Sequence, residues 1–164
     1  MLYQTSEYKR KGFEQAKGYY IWWAMEKDIV DILQLIGCDL TFADIKNELK
    51  AENFDNQTWY AIYIGIASNL SNRLYEHING NIFASTLRKS LSGIHRFDSS
   101  EKLNKEMVKL RFSYTVSNDT ADIERKSLTS NFYLLNLLQN NHKFALKTKY
   151  EIRKLRKEIA KIYR

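Results

Sequence analysis

Three short runs carry strand-like patterning, and they lie far apart in the chain. Gly18-Tyr19-Tyr20-Ile21-Trp22-Trp23-Ala24 and Trp59-Tyr60-Ala61-Ile62-Tyr63-Ile64-Gly65-Ile66 are dense in aromatic and β-branched residues. Lys109 to Val116 alternates Leu110, Phe112, Tyr114 and Val116, the period of two expected of a third strand. The intervening segments carry helical spacing or turn residues. Asp28 to Ile36 spaces Ile29, Ile32, Leu33 and Ile36 along one helical face and stops before Gly37. Thr41 caps a second expected helix running to about Lys50, and Asn53 to Gln57 is turn-like. Further helices are expected over about 69–78, 85–91, 118–138 and 150–163. Strands segregated from helices in this way indicate an α+β layer fold.

Composition narrows the class. The chain has 164 residues, 44% of them apolar, enough to bury a core in one domain and too apolar for disorder. No apolar stretch approaches the roughly 20 residues that span a bilayer. Met1 to Lys17 is mostly polar, so no secretory leader is expected there. The single cysteine, Cys38, excludes an internal disulfide scaffold and a thiolate zinc cluster. Three histidines with no close pair make a zinc site a poor reading. The expected compartment is the reducing cytoplasm, with no membrane partner.

The net charge of +7 is unevenly spread. His142 to Arg164 holds nine basic residues against Glu151 and Glu158, so that segment alone sums to +7. Ala24 to Gln57 holds eight acids and three lysines. The expected organisation is one domain, 1–164, with an acidic helical insertion over 25–57 and a basic segment over 142–164. A basic stripe beside a neutral body suits phosphate contact, because released counterions drive nucleic-acid binding.

Tyr63-Ile64-Gly65 closes the second strand, Arg73 follows ten residues after Tyr63, and His77 lies one helical turn beyond Arg73 on the same face. Glu124 falls in the first turns of the helix after the third strand. Tyrosines, an arginine, a histidine and one carboxylate suit phosphodiester hydrolysis. The carboxylate can hold a hard divalent cation, the arginine can neutralise the scissile phosphate, and a tyrosine or the histidine can take a proton from water.

These residues resemble the GIY-YIG nucleases. The second strand motif is intact as Tyr63-Ile64-Gly65, and Gly18-Tyr19-Tyr20 resembles the first with Tyr in place of Ile. Arg73 and His77 are similar to the family's helix motif, Glu124 stands where its metal-binding glutamate is expected, and Asn136 matches its late asparagine. Ser85-Thr86-Leu87-Arg88-Lys89-Ser90-Leu91 and 136–144 are similar to a subgroup of small bacterial members in which a basic helix closes the chain. In the family the two tyrosine motifs lie close together, as in a hairpin; here some forty residues separate Tyr20 from Tyr63, and Tyr19 competes with Tyr20 as the first-motif tyrosine.

The resemblance implies a small three-stranded antiparallel sheet flanked by helices, with the insertion after the first strand and a basic C-terminal helix. It implies a Mg2+-dependent endonuclease acting on DNA, with Mn2+ as a substitute ion. The implied catalytic set is Tyr20, Tyr63, Arg73, His77, Glu124 and Asn136, with Glu124 as the metal ligand and either Tyr63 or His77 as the base. Arg88, Lys89, Lys149, Arg153, Lys154, Arg156 and Lys157 are the expected DNA-backbone contacts, positioning the nucleic acid without reading bases. A free-standing enzyme of this kind fits restriction or defence of double-stranded DNA, and cutting both strands favours a homodimer. The alternatives are a non-catalytic nucleic-acid-binding module of the same fold and a protein-interaction module using the acidic insertion.

Overall fold

The computed structural model describes residues 1–9, 14–137 and 142–163. Its strands are β1 (Tyr3–Gln4), β2 (Gly18–Met25), β3 (Ala51–Phe54), β4 (Gln57–Ala67) and β5 (Arg111–Val116). Its α-helices are α1 (Glu26–Ile36), α2 (Phe42–Ile45), α3 (Leu70–Asn79), α4 (Thr86–His95), α5 (Ser100–Met107), α6 (Thr120–Ser130) and α7 (Lys143–Ile162). The architecture is α+β, and the sheet is antiparallel in the order β1-β5-β2-β4-β3.

The sheet has five strands, not the three expected. The three patterned runs form its centre, β5-β2-β4, while β1 and β3 are edge strands of two and four residues. Runs that short carry too few side chains to show a period of two. The 25–57 segment is correspondingly not purely helical. It leaves β2 directly into α1, passes through α2, and returns as the β3–β4 hairpin. Asp55 and Asn56, with φ of 51° and 58°, make its two-residue turn, and both residue types tolerate this left-handed backbone.

The sheet separates two apolar clusters. Tyr20, Trp22, Ala24, Ile62 and Phe112 face the larger one, against which most helices pack. Ile21, Trp23, Trp59, Ala61 and Ile64 face the smaller one, closed by Leu128 and Tyr133. The adjacent tryptophans point to opposite faces, as a strand requires.

One irregularity decides where the site forms. The β2–β4 register shifts between Trp22, opposite Tyr63, and Trp23, opposite Ala61. Ile62 is thus the extra residue of a β-bulge. Strict alternation would send Tyr63 to the face opposite Ile62; the bulge turns both into the larger cluster.

Two of the helix boundaries that differ from expectation bear on the site. α6 ends at Ser130 instead of near 138, and position 138 lies outside the described residues. The chain leaves the helix because its next polar groups go to β4: Leu135 N–H donates to the Ile62 carbonyl at 2.9 Å. α7 starts at Lys143, one turn and more before the expected Tyr150, because Ala145 and Thr148 continue the buried stripe of Ile152, Leu155 and Ile159. Among the described residues, no helix is long and apolar enough to cross a membrane.

Candidate active site

Tyr20 on β2 and Tyr63 on β4 stand on the same sheet face with ring centroids 6.3 Å apart. Directly opposite Tyr20 in the register is Gly65, and a methyl there would overlap the Tyr20 hydroxyl. The glycine that ends the strand motif is therefore the space the first tyrosine occupies. Tyr19 lies on the other face, packed with the smaller cluster. Of the two candidate tyrosines, Tyr20 is the one beside Tyr63 and His77.

α3 begins three residues after β4, with the Asn69 side chain accepting the Asn72 N–H as its cap. Its spacing puts Arg73 and His77 over the two tyrosines. His77 is fully buried, with its ring centroid 5.0 Å from Tyr20 and 5.9 Å from Tyr63. Its Nε2 lies 2.9 Å from the Tyr20 hydroxyl and its Nδ1 lies 2.9 Å from Ser85 Oγ. Burial, then the charges of Arg73 and Arg88, push its pKa well below the ordinary imidazole range, so the ring is neutral at physiological pH.

Burial also raises both phenols, Tyr20 strongly, with Tyr63 adding to the rise and Arg73 opposing it. At Tyr63 the effect of burial is opposed by Arg73 and by a hydrogen bond from Tyr20. Tyr63 thus receives more support for its anionic form than Tyr20 does. Arg73 is half-buried and binds Glu76 through Nη1 at 2.6 Å. Beside it, Ile66 to Asn69, Asn72 and Glu76 line an open cavity of about 350 Å3 at the start of α3.

Glu124 projects from α6 and is half-buried, and its charge acts on Tyr63. Burial raises its pKa, and among the described residues no cation pairs with it. A partly desolvated carboxylate without a counter-charge fits a hard cation ligated by one protein oxygen, with water as the remaining ligands. Among the described residues there is no cluster of three or more His, Cys, Asp or Glu, so Glu124 would hold such an ion alone.

Asn136 does not sit on a helix. It lies in the irregular segment after α6, buried, where its Oδ1 accepts the Ile64 N–H and its Nδ2 donates to the Ile64 carbonyl, both at 2.8 Å. β3 pairs with β4 only up to Tyr60. The Asn136 amide therefore completes the open edge of the strand at its motif, fixing the residue between Tyr63 and Gly65.

The expected DNA contacts divide. Arg153, Lys154 and Lys157 are exposed on α7, Lys149 and Arg156 are half-buried there, and Lys89 is half-buried on α4. Lys89, Arg153, Arg156 and Lys157 line a cavity of about 390 Å3 with Phe83 and Ala160. Arg156 also reaches electrostatically to Tyr63, joining this basic groove to the tyrosines.

Arg88 is a correction. It is fully buried, and its guanidinium donates to the carbonyls of His77 at 2.8 Å, Ile78 at 3.2 Å and Asn81 at 2.9 Å, and to Asn104 Oδ1 at 2.8 Å. Two of those carbonyls belong to the last turn of α3, whose dipole presents its negative end to the cation. Burial lowers the guanidinium pKa to about 10, which leaves it charged at neutral pH. With four of its five N–H donors engaged and the side chain fully buried, it presents none to a phosphate at the surface.

Two groups at the site had no role from sequence. Glu76 pairs with Arg73 three positions away, a spacing common on any helix surface. Ser85 stands eight residues after His77 in the serine-to-leucine run noted above, where its cap position was the visible signal.

Neither curated proteins nor solved structures match the chain. A family model described as the GIY-YIG catalytic domain matches residues 18–158, from the first residue of β2 to the last turns of α7. Proteins of this family are nucleases that act on DNA and generally depend on a divalent metal. With most of its length inside that match, and with both tyrosines, the arginine and the histidine drawn to one sheet face, the chain belongs to the GIY-YIG family of nuclease catalytic domains.

Proposed function

We propose that the protein is a Mg2+-dependent endonuclease of restriction or defence type, hydrolysing phosphodiester bonds in double-stranded DNA. The whole chain, 1–164, acts as one catalytic domain, with 25–57 as an insertion and 142–164 as the basic segment that carries the duplex. The observation that supports this reading best is the convergence of Tyr20, Tyr63, Arg73 and His77 beside an uncompensated carboxylate, Glu124.

Arg73 binds a non-bridging oxygen of the scissile phosphate at the mouth of the cavity beside α3 and gives up part of its hold on Glu76 to do so. Tyr63 meets the attacking water, because His77 is sealed behind Tyr20 and cannot reach it. Tyr63 first loses its own hydroxyl proton to solvent, which Arg73 and the Tyr20 hydroxyl favour against burial, and the phenolate then takes the proton of the water. Glu124 would hold Mg2+, or Mn2+ in its place, and the ion would supply Lewis-acid stabilisation of the charge that develops on the leaving oxygen. Asn136 keeps the Tyr63–Gly65 backbone in register. Lys89, Lys149, Arg153, Lys154, Arg156 and Lys157 bind flanking phosphates. Cutting both strands calls for two such centres, so the active species is a homodimer.

The test is incubation of supercoiled plasmid with purified protein and Mg2+ or Mn2+, beside Glu124→Ala. Nicked or linear product from the wild type alone supports the reading, and discrete fragments support restriction over non-specific cutting. Salt-sensitive binding with no product under any metal would replace it with a binding module.

A further inference from the structure

Apart from Lys89, the run from Ser85 to Leu91 is left without a role by the reaction above, yet its first and fourth residues enclose His77. Ser85 is the N-cap of α4, and its Oγ accepts the Arg88 N–H at 3.2 Å. The same oxygen lies 2.9 Å from His77 Nδ1. Both residues are buried, Ser85 at 4% exposure and His77 at 0%. Among the described residues Ser85 Oγ has no other partner.

This geometry fixes the direction of each hydrogen. A neutral imidazole carries one N–H and one bare nitrogen. Ser85 Oγ already accepts from the backbone, so its own hydrogen needs an acceptor, and Nδ1 is the one in reach. If Nδ1 carried the proton instead, the serine hydrogen would be stranded in a dry interior, which buried hydroxyls avoid. Nδ1 is therefore bare and Nε2 carries the hydrogen. That hydrogen points at the Tyr20 oxygen 2.9 Å away, which leaves the Tyr20 hydrogen free to point at Tyr63. Arg88 locks the assembly by holding the His77 carbonyl from the helix that Ser85 caps.

We propose that Ser85 is a positioning residue that holds His77 as the Nε2–H tautomer, making His77 a hydrogen-bond donor to Tyr20 and excluding it as the proton acceptor of the reaction. A one-way series of donations then runs from the start of α4 through Ser85, His77 and Tyr20 to Tyr63. The catalytic consequence rests on the nuclease reading above; the tautomer does not.

The chain has three histidines, so the ring nitrogens can be assigned in full-length protein labelled with 15N-histidine, using His95→Gln and His142→Gln. Long-range proton–nitrogen correlation is expected to show His77 with an unprotonated Nδ1 and a protonated Nε2. The reverse pattern in the wild type overturns the proposal, whether or not any DNA is cut. Ser85→Asp keeps a capping oxygen, but its carboxylate only accepts, so it is expected to move the hydrogen to Nδ1. It should lower kcat about tenfold or more with KM little changed, as substitutions behind a catalytic group do. Ser85→Thr keeps the hydroxyl and is expected to retain both the wild-type ring pattern and kcat within about threefold. A reversed ring with wild-type kcat in Ser85→Asp would overturn the positioning role. A nuclease-inactive wild type with the expected ring pattern would sink the activity reading and leave the tautomer standing.

Discussion

The inner and outer halves of the site are built on opposite principles. The inner half, Tyr20, His77, Ser85 and Arg88, is closed to water, and its polar groups are matched to partners at 2.8–3.2 Å. The outer half, Tyr63, Arg73, Glu124 and Arg156, is less sealed. Burial there works against the ionised form of Glu124 and Arg156 with little compensation. A matched, dry network holds a fixed geometry. Groups left half-solvated and charged are the ones with something to gain from a phosphate or a cation. The difference assigns positioning to the interior and contact with the substrate to the rim.

The sharpest way to break that division is to strip the rim. Arg73→Ala and Glu124→Ala should each lower the cleavage rate by about a thousandfold, with thermal stability near wild type. If Arg73→Ala unfolded the protein instead, the rim would be structural and the comparison would fail. Next in size is the interior. Arg88→Leu leaves the α3 carbonyls without their donor and should cost about 3 kcal/mol in urea denaturation, as buried acceptors left unsatisfied do. A merely surface arginine would cost nothing measurable there.

The buried imidazole predicts a pH dependence of stability. Unfolded His77 binds a proton below its ordinary pKa near 6.5, while the folded ring stays neutral to lower pH. The unfolded state therefore holds more protons, and stability falls as pH drops below about 6.5, by up to roughly 1.4 kcal/mol per unit. His95, also lowered by burial, contributes in the same direction. Denaturation midpoints at several pH values should show His77→Gln with a shallower acid slope; an unchanged slope would mean the ring is solvated. The smallest effect belongs to the groove on α7. Arg153→Ala or Lys157→Ala should each weaken DNA binding alike across sequences and reduce the slope of log affinity against log salt by about 0.9. Loss of preference for one sequence would instead make that residue a base reader.

What the sequence made legible follows the range of the interactions. Arg73 and His77 share a helix, so their alignment is a matter of counting, and the strand motif marks Tyr63 and Gly65. The meeting of Tyr20 with Tyr63 was harder, since α1, α2 and β3 intervene, but both strands were visible as aromatic runs. Arg88 was misread because its partners are carbonyls of the preceding helix end, which no side-chain pattern records; beside Lys89 it looks like part of a basic surface. Asn136 was expected on a helix because nothing in 131–137 breaks one. The segment unwinds to meet β4, a long-range demand that overrides local preference. The bulge at Ile62 left no local trace, yet without it Tyr63 would face the wrong cluster.

The Asn136 clamp has a consequence away from chemistry. β4 beyond Tyr60 carries Ala61, Ile62, Tyr63 and Ile64, with no neighbouring strand on its outer side among the described residues. Such a bare, apolar margin is a template on which another chain can add itself and begin an aggregate. The side-chain amide of Asn136 and the Leu135 N–H occupy the places an incoming strand would take. The same asparagine that keeps the motif in register thus covers this margin, and losing it is expected to cost yield of soluble material as well as rate.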